Sequence, residues 1–572
     1  MRKFLFGSLA VLLLVLLLGA VFLARMDLDH YRPQLQLALS DTLNRPVSIE
    51  VLAFDWSTLG VAARGIRIAE DPRFSKDDFL HADALTFSVA FLPLMMERQV
   101  QVDALHIEAP SVRLQQDASG RWNIESLWQP VNAKSSDSPA DAAPVGLSID
   151  RITLHGGSVE LQRAGDQLRR YQAVNLQADE PQLEQAFPFS LSAELPGSGR
   201  LDLSGQLGPL DRQSPMRSAL QAELTISQLD LAASGWAGDG SQVQGRVQLK
   251  FDLTAEGGLL RSEGELSAES LRLLGADQAA TAPIRLQLRC DYDLIKRRGT
   301  VEQGVLSAGS AEIQLSGDLA QKSQAMRMNL HLKGQALSVD QLQALIPAFG
   351  IELPEQSRLS GGELDIQLSV TGPLDGLQIK GPIVLRDTRL DGFSLAGRLS
   401  ALSALAGLPA PKDTRIDQGS LQFHRGPDGM RFEQIDVHVV DLGQVSGGGR
   451  VDASESVDMK LRVKIDPDVA ERSGGGAASG TSVGRFTGGA MRYASSRGLD
   501  VQVQGSLAAP QIKLSSQALA GSVLSGLLAP DQEDQGSGDE GNTDEVSDRR
   551  RIGSALLQLL DKKKDDRERE KE

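Results

Sequence analysis

The sequence predicts a mostly β protein: an N-terminal transmembrane helix, then an elongated, curved, groove-like antiparallel β-sheet with few short helices, then a disordered acidic C-terminal tail. Three observations predict it. Apolar and polar residues alternate with period two through most of the chain, which places the apolar ones on one face of a strand. The run from Phe4 to Leu23 holds twenty residues without a charge. The 57 glycines punctuate the alternation and forecast many turns.

The apolar run comes first. At about 1.5 Å per residue it crosses a hydrocarbon core roughly 30 Å thick. It exceeds the apolar run of about 7–15 residues in a cleaved signal, and Ala24, Arg25, Met26 and Asp27 follow it, so an uncleaved anchor over residues 4–24 is expected. Arg2 and Lys3 precede it, which places residues 1–3 in the cytoplasm and the rest across the membrane.

Strand signals fill the body of the chain. Val100 and Val102, then Leu105 and Ile107, lead to Val112 and Leu114. Leu147 and Ile149, then Ile152 and Leu154, run through His155, Gly156 and Gly157 to Val159 and Leu161, which predicts a hairpin with a glycine turn. Leu201 and Leu203, Leu220 to Ile226, Val247 to Leu253, Ile313 and Leu315, Met328 to Leu332, Leu364 to Leu368, and Ile383 and Leu385 repeat the pattern. The phase slips between Val102 and Leu105 and between Ile149 and Ile152. A slip exchanges the two faces, so each marks a bulge, a bend or a strand end.

Helical spacing is sparse. Pro33 to Asn44 sets Leu35, Leu39 and Leu43 on one face; Val339 to Phe349, Arg398 to Leu408 and Ser516 to Leu528 are further short candidates. Asn132 to Pro144 reads as a linker, and Arg472 to Gly489 is a second Gly/Ser/Ala-rich stretch. Asp531 to Asp548 carries eight acids and no base, and Arg549 to Glu572 is expected to form a short, marginal helix. The organisation is a β region over 25–130, a linker over 131–145, a central β groove over 146–400, a second β region over 401–515 and a helix with a charged tail over 516–572.

Composition excludes several functions. With 59 Lys and Arg against 75 Asp and Glu, the net charge of −16 argues against nucleic acid, which demands a basic face. Cys290 is the single cysteine, so neither an intrachain disulfide nor a cysteine metal cluster is expected. The seven histidines include no i, i+4 pair of the zinc-hydrolase type. GTSVG at Gly480 to Gly484 matches a nucleophile elbow, but a loop precedes it where that elbow needs a strand. No Walker loop or dinucleotide fingerprint occurs. No catalytic residue, cofactor or metal is expected.

Several short motifs follow the anchor in order. They are Leu39 to Ile49 (LSDTLNRPVSI); Ile66 to Ile68 leading to Asp71, Pro72, Arg73 and Phe74; Ala82 to Leu85; Phe91 to Leu94; Gly120 to Asn123 (GRWN); and Ile152 to Val159. Near the other end stand Val501, Val503, Gly505, Leu507, Pro510 and Ile512. Together they resemble the AsmA family of inner-membrane-anchored periplasmic proteins of diderm bacteria, with Asn44 where the family usually has Gly. The resemblance is good over about the first 160 residues, moderate from about Gly361 to Leu514 and weak between. It implies a place in the inner membrane and periplasm and a role in outer-membrane biogenesis and lipid homeostasis.

Beside the resemblance stands a physical argument. A strand with one aliphatic face needs a covering layer, and helices are too few to supply it. Either two sheets close as a sandwich around an ordinary protein core, or one curved sheet leaves an aliphatic trough, on the order of 120 Å long for roughly 25 strands at about 4.8 Å. Aliphatic, aromatic-poor walls suit acyl chains. Candidate lipid contacts are Val102, Ile107, Ile149, Leu154, Leu203, Leu249, Phe251, Leu253, Leu315, Leu330, Ile366, Leu368 and Leu385. Candidate head-group contacts are Arg485, Arg492 and Arg497, which with Phe486, Met491 and Tyr493 make a basic amphipathic patch; the plainer reading is a solvated loop and helix face. The expected partner is a phospholipid or another lipid. The alternative is a non-transporting scaffold or assembly factor, a closed sandwich whose acidic tail binds envelope proteins.

Overall fold

The computed structural model describes residues 28–514 except 56–57, 59, 90–101, 129–148, 183, 212–213, 236–242, 274–275, 277, 323–324, 350–352, 354–356, 374–375, 399–410, 441, 470–493 and 507–509. The anchor, the linker, GTSVG, Ser516 to Leu528, the acidic run and the closing helix lie outside the described residues. Among those described, no helix is long and apolar enough to cross a membrane.

After a short 3-10 turn comes helix α1 (Arg32–Leu43). The strands are β1 (Val47–Ser48), β2 (Val51–Asp55), β3 (Gly60–Ala69), β4 (Asp78–Val89), β5 (Val102–Glu108), β6 (Ser111–Gln115), β7 (Ile149–Gln162), β8 (Arg169–Asp179), β9 (Phe187–Leu195), β10 (Gly199–Leu207), β11 (Leu220–Asp230), β12 (Gln244–Glu256) and β13 (Leu259–Arg272). Then follow β14 (Ile284–Asp293), β15 (Arg298–Ala308), β16 (Ala311–Lys322), β17 (Ala325–Ser338), β18 (Arg358–Ser360), β19 (Glu363–Pro373), β20 (Gln378–Asp391), β21 (Thr414–Gly426), β22 (Gly429–Val439), β23 (Gly443–Asp452), β24 (Ser456–Ile465), β25 (Leu499–Ser506) and β26 (Pro510–Leu514). Short helices interrupt them: α2 (Leu231–Ser234), α3 (Val339–Leu342) and α4 (Leu395–Arg398).

All 26 strands belong to one sheet, and most pair with the strand that follows in sequence. β1 with β2, β5 with β6, and β18 with β19 each share one ladder position, because both members pair with the same neighbour. The ladder is therefore 23 positions deep, slightly fewer than the sequence suggested.

Two expectations need correction. The sheet is mixed, not purely antiparallel: β5 and β6 both run parallel to β7. The segment between β6 and β7 carries the chain back to the end at which β5 began, and parallel neighbours need such a crossover. The Gly156-Gly157 hairpin does not form either. β7 is one strand of 14 residues in which Gly156, at φ +63°, makes a bulge. The parallel strand breaks at the same level, where the Ala109 N–H donates to the His155 carbonyl at 2.8 Å and the Ser158 N–H to that of Pro110 at 2.7 Å. The chain bends there instead of reversing, because Gly156 has positive φ and Gly157 does not.

The slip between Val102 and Leu105 is a register shift against β4. α1 begins with a proline in its first turn and ends at Asn44, whose φ of 54° and ψ of 30° are left-handed. Glycine suits that geometry best and asparagine tolerates it. Leu39 packs beneath α1 against Ile49, Leu52, Ala63, Ile66 and Ala82. Leu35 is exposed. The stretch Val339 to Phe349 is helical as expected, as α3 and a 3-10 turn.

The two long edges of the sheet differ. From β11 onward one edge carries the turns between β12 and β13, β14 and β15, β16 and β17, and β21 and β22, each only a few residues long. The opposite edge carries the longer connections, with α2, α3, α4 and the helical turns at 467–469 and 494–496.

Candidate functional site

Register decides where the aliphatic residues go. Following Cα partners from strand to strand, Leu52, Ala63, Leu85, Ile107, Leu154, Leu176, Leu191 and Leu203 form one row, which continues through Leu224, Phe251, Gly264, Leu288, Gly304, Leu315, Leu332 and Leu368. The row crosses the sheet from β2 to β19 without a polar side chain, over about 70 Å at about 4.8 Å per strand. Displaced rows carry the same face onward: Ile366, Ile383 and Leu421, then Phe423, Phe432, Gly449, Met459, Val503 and Ile512.

From Leu85 to Leu368 every member of the row except Gly304 is half-buried. Full burial lies to the sides. Along the edge with the long connections, Val339, Leu342, Leu345 and Ala348 are buried, and the last three cluster with Ile284, Ile313, Leu337 and Ile366. Leu231 of α2 packs on Ile226, Leu229, Val247 and Ala268. Val469 and Ala494 pack on Leu442, Val463, Ile465 and Leu499. These helical turns pack on the apolar face along one side of the sheet.

Two glycines interrupt the side chains of the row. Gly264 sits between Phe251 and Leu288, and Gly304 between Leu288 and Leu315. A methyl group at Gly304 would lie 2.9 Å from the Leu315 Cβ, and one at Gly264 would meet the Lys250 carbonyl and the Phe251 ring. The neighbouring strands leave no room for a Cβ at these two positions.

The other face is charged. Across adjacent strands Arg261 pairs with Asp291 at 2.9 Å, Arg289 with Glu263 at 2.7 Å and Arg462 with Asp500 at 2.8 Å. The Arg261 guanidinium lowers the pKa of Asp291, and that of Arg289 lowers the pKa of Glu263. One face is thus wet and the other aliphatic.

Of the expected lipid contacts, Ile107, Ile149, Leu154, Leu203, Leu249, Phe251, Leu253, Leu315, Leu330, Leu368 and Leu385 are half-buried and Ile366 is buried, on this face or its flanks. Val102 takes its place in the ladder opposite Val89 and Ile149. Leu176, Leu191 and Leu288 belong to the row but were not among the expected contacts. The alternations Val174-x-Leu176-x-Ala178, Leu191-x-Ala193-x-Leu195 and Leu286-x-Leu288 carry the signal for them. Arg485 and Arg492 lie outside the described residues; Arg497 is exposed just before β25. Among the described residues no group of three or more His, Cys, Asp or Glu is placed to hold a metal ion.

A model of the AsmA family matches residues 1–355. The chain belongs to the AsmA family. The match takes in the central strands between residues 160 and 355, where the motif resemblance was thin, and stops before the second resembling stretch. No curated protein and no solved structure matches the chain.

Proposed function

We propose that this AsmA-family protein carries phospholipid acyl chains along its apolar trough, as an inner-membrane-anchored, periplasmic component of outer-membrane biogenesis and lipid homeostasis. The observation that supports it is the half-buried row from Leu85 to Leu368 on one face of one sheet. An acyl chain of about fifteen carbons exposed to water costs roughly 12 kcal/mol at about 0.8 kcal/mol per CH₂. A lining that shields the chain while the head group stays wet removes much of that barrier, and it needs no catalytic group or cofactor. The scaffold reading asked for two sheets closed on each other; the strands form a single sheet.

Photocrosslinkers at Leu154, Leu249 and Leu368 test the reading. Lipid adducts are expected at all three and not at Gln287 on the polar face. Absence of lipid at all three overturns it. Deleting Asp531 to Glu572 separates the two functions: a conduit keeps its lipid adducts, whereas a scaffold loses its protein partners.

A further inference from the structure

The polar face also holds a hollow, of about 910 Å³, over β15 to β21. A strongly twisted sheet is saddle-shaped, so it is concave on both sides along different diagonals. Polar side chains on this face line the hollow. Lys333 is opposite Gln314 and Gln367, His331 opposite Ser316 and Ser369, and Lys380 opposite Ser369 and His424.

Several basic residues of this face are neutralised by a neighbour, and the two lysines of the hollow are not. Arg261, Arg289, Arg386 and Lys250 each have a carboxylate partner on a neighbouring strand. Among the described residues neither Lys333 nor Lys380 has an ion-pair partner, and Glu302 is the one carboxylate lining the hollow. The lysines occupy strands on either side of β19, with Gln367 and Ser369 between them. In a protein of net charge −16, two uncompensated ammonium groups lining one hollow with amides and a hydroxyl make a local site for an anion.

We infer that this hollow binds a phosphorylated polyol, the phosphate held between Lys333 and Lys380 and the hydroxyl groups by the amides of Gln314, Gln367 and Gln422. The lysines supply point charges that tolerate a tetrahedral anion from two sides. The glutamine amides both donate to and accept from hydroxyl groups. The site is on the face opposite the acyl trough, so it goes beyond the proposed transport and stands independently of it. Two sources share the chemistry: a free sugar phosphate, or the glycerol phosphate head group of an anionic lipid.

The test is calorimetric titration of the full chain with glycerol 3-phosphate, and separately with phosphatidylglycerol and phosphatidylcholine vesicles, for the native chain and for Lys333→Gln and Lys380→Gln. Each variant is expected to weaken binding by about ten-fold, the loss of one charged hydrogen bond, with an unchanged melting temperature. Binding of glycerol 3-phosphate identifies a free ligand. Selective binding of phosphatidylglycerol vesicles alone, lost in both variants, identifies a head group. Equal binding by native and variant chains, or no binding of either probe, overturns the site. Crosslinking at Leu368 reads only the trough, so failure of one proposal is distinguishable from failure of the other.

Discussion

Arg45 and Glu70 form an ion pair at 3.1 Å with side chains only 3% and 0% exposed. Asn123 closes the arrangement: its amide donates to the Glu70 Oε2 at 2.5 Å and to the Arg113 carbonyl at 2.8 Å, while its own carbonyl accepts from Arg45. The Arg45 guanidinium also lies 4.7 Å from the centre of the Phe79 ring. Burial lowers the Arg45 pKa, against the pull of Glu70. Three of the motifs that marked the family, Asn44-Arg45-Pro46, the segment before Asp71-Pro72-Arg73, and Gly120 to Asn123, thus converge on one polar lock where the sheet begins.

Removing one partner of that lock leaves the other charge buried and uncompensated. Arg45→Met is expected to cost about 3–5 kcal/mol of stability, and Arg45→Met with Glu70→Leu to recover most of it. Urea denaturation of the single and double variants is the measurement. A single variant within about 1 kcal/mol of the native chain would show that the pair does not hold this end together.

Gly304 has no room for a Cβ, which would lie 2.9 Å from that of Leu315. Gly304→Val is expected to cost about 1–3 kcal/mol through overpacking against Leu315, whereas Gly426→Ala, outside the left-handed region and with only the Gln378 Cγ at 4.0 Å from the added methyl, costs less. Thermal melts of both variants rank the two effects; equal losses would remove the crowding argument.

Continuity of the row matters more than any single contact. Leu288→Glu places a charge at the middle of the apolar row, where the chains of the proposed transport would have to desolvate it. The expected outcome is a chain that folds, since Leu288 is half-buried, but transfers lipid between vesicles about ten-fold more slowly. Unchanged transfer would mean that lipid does not follow this row.

His438 bridges two carboxylates, with Nδ1 2.7 Å from Asp417 and Nε2 2.8 Å from Asp466. The hydrogen bonds to Asp466 and then to Asp417 raise its pKa above the ordinary 6.5. Stability from a base with a raised folded-state pKa is fully present below the unfolded value and is lost as pH rises through the folded one. His438→Gln is therefore expected to lower the melting temperature at about pH 6 and to have little effect at about pH 9. A deficit that is flat or grows with pH contradicts the bridge.

Much of this was legible in the sequence because it is local. Period two along Val247 to Leu253 or Met328 to Leu332 says which side chains share a face, and antiparallel neighbours joined by short turns then keep the faces aligned. Leu249, Phe251 and Leu253 could be named without coordinates for that reason. Whether Gly156 turns or bends the chain depends on a partner strand 47 positions away in register, as Glu108 opposite His155 shows, and no local pattern encodes that partner.

By itself, the sequence determined that one face of each strand is aliphatic and that few helices exist to cover it. Tertiary structure alone decided that all the strands share one sheet, that Arg45, Glu70 and Asn123 meet, and that the helical turns gather on one edge. Alternation is set residue by residue by the pleat of the backbone. What lies opposite a face is set by contacts between segments far apart in the chain, so it appears only when the whole ladder is assembled.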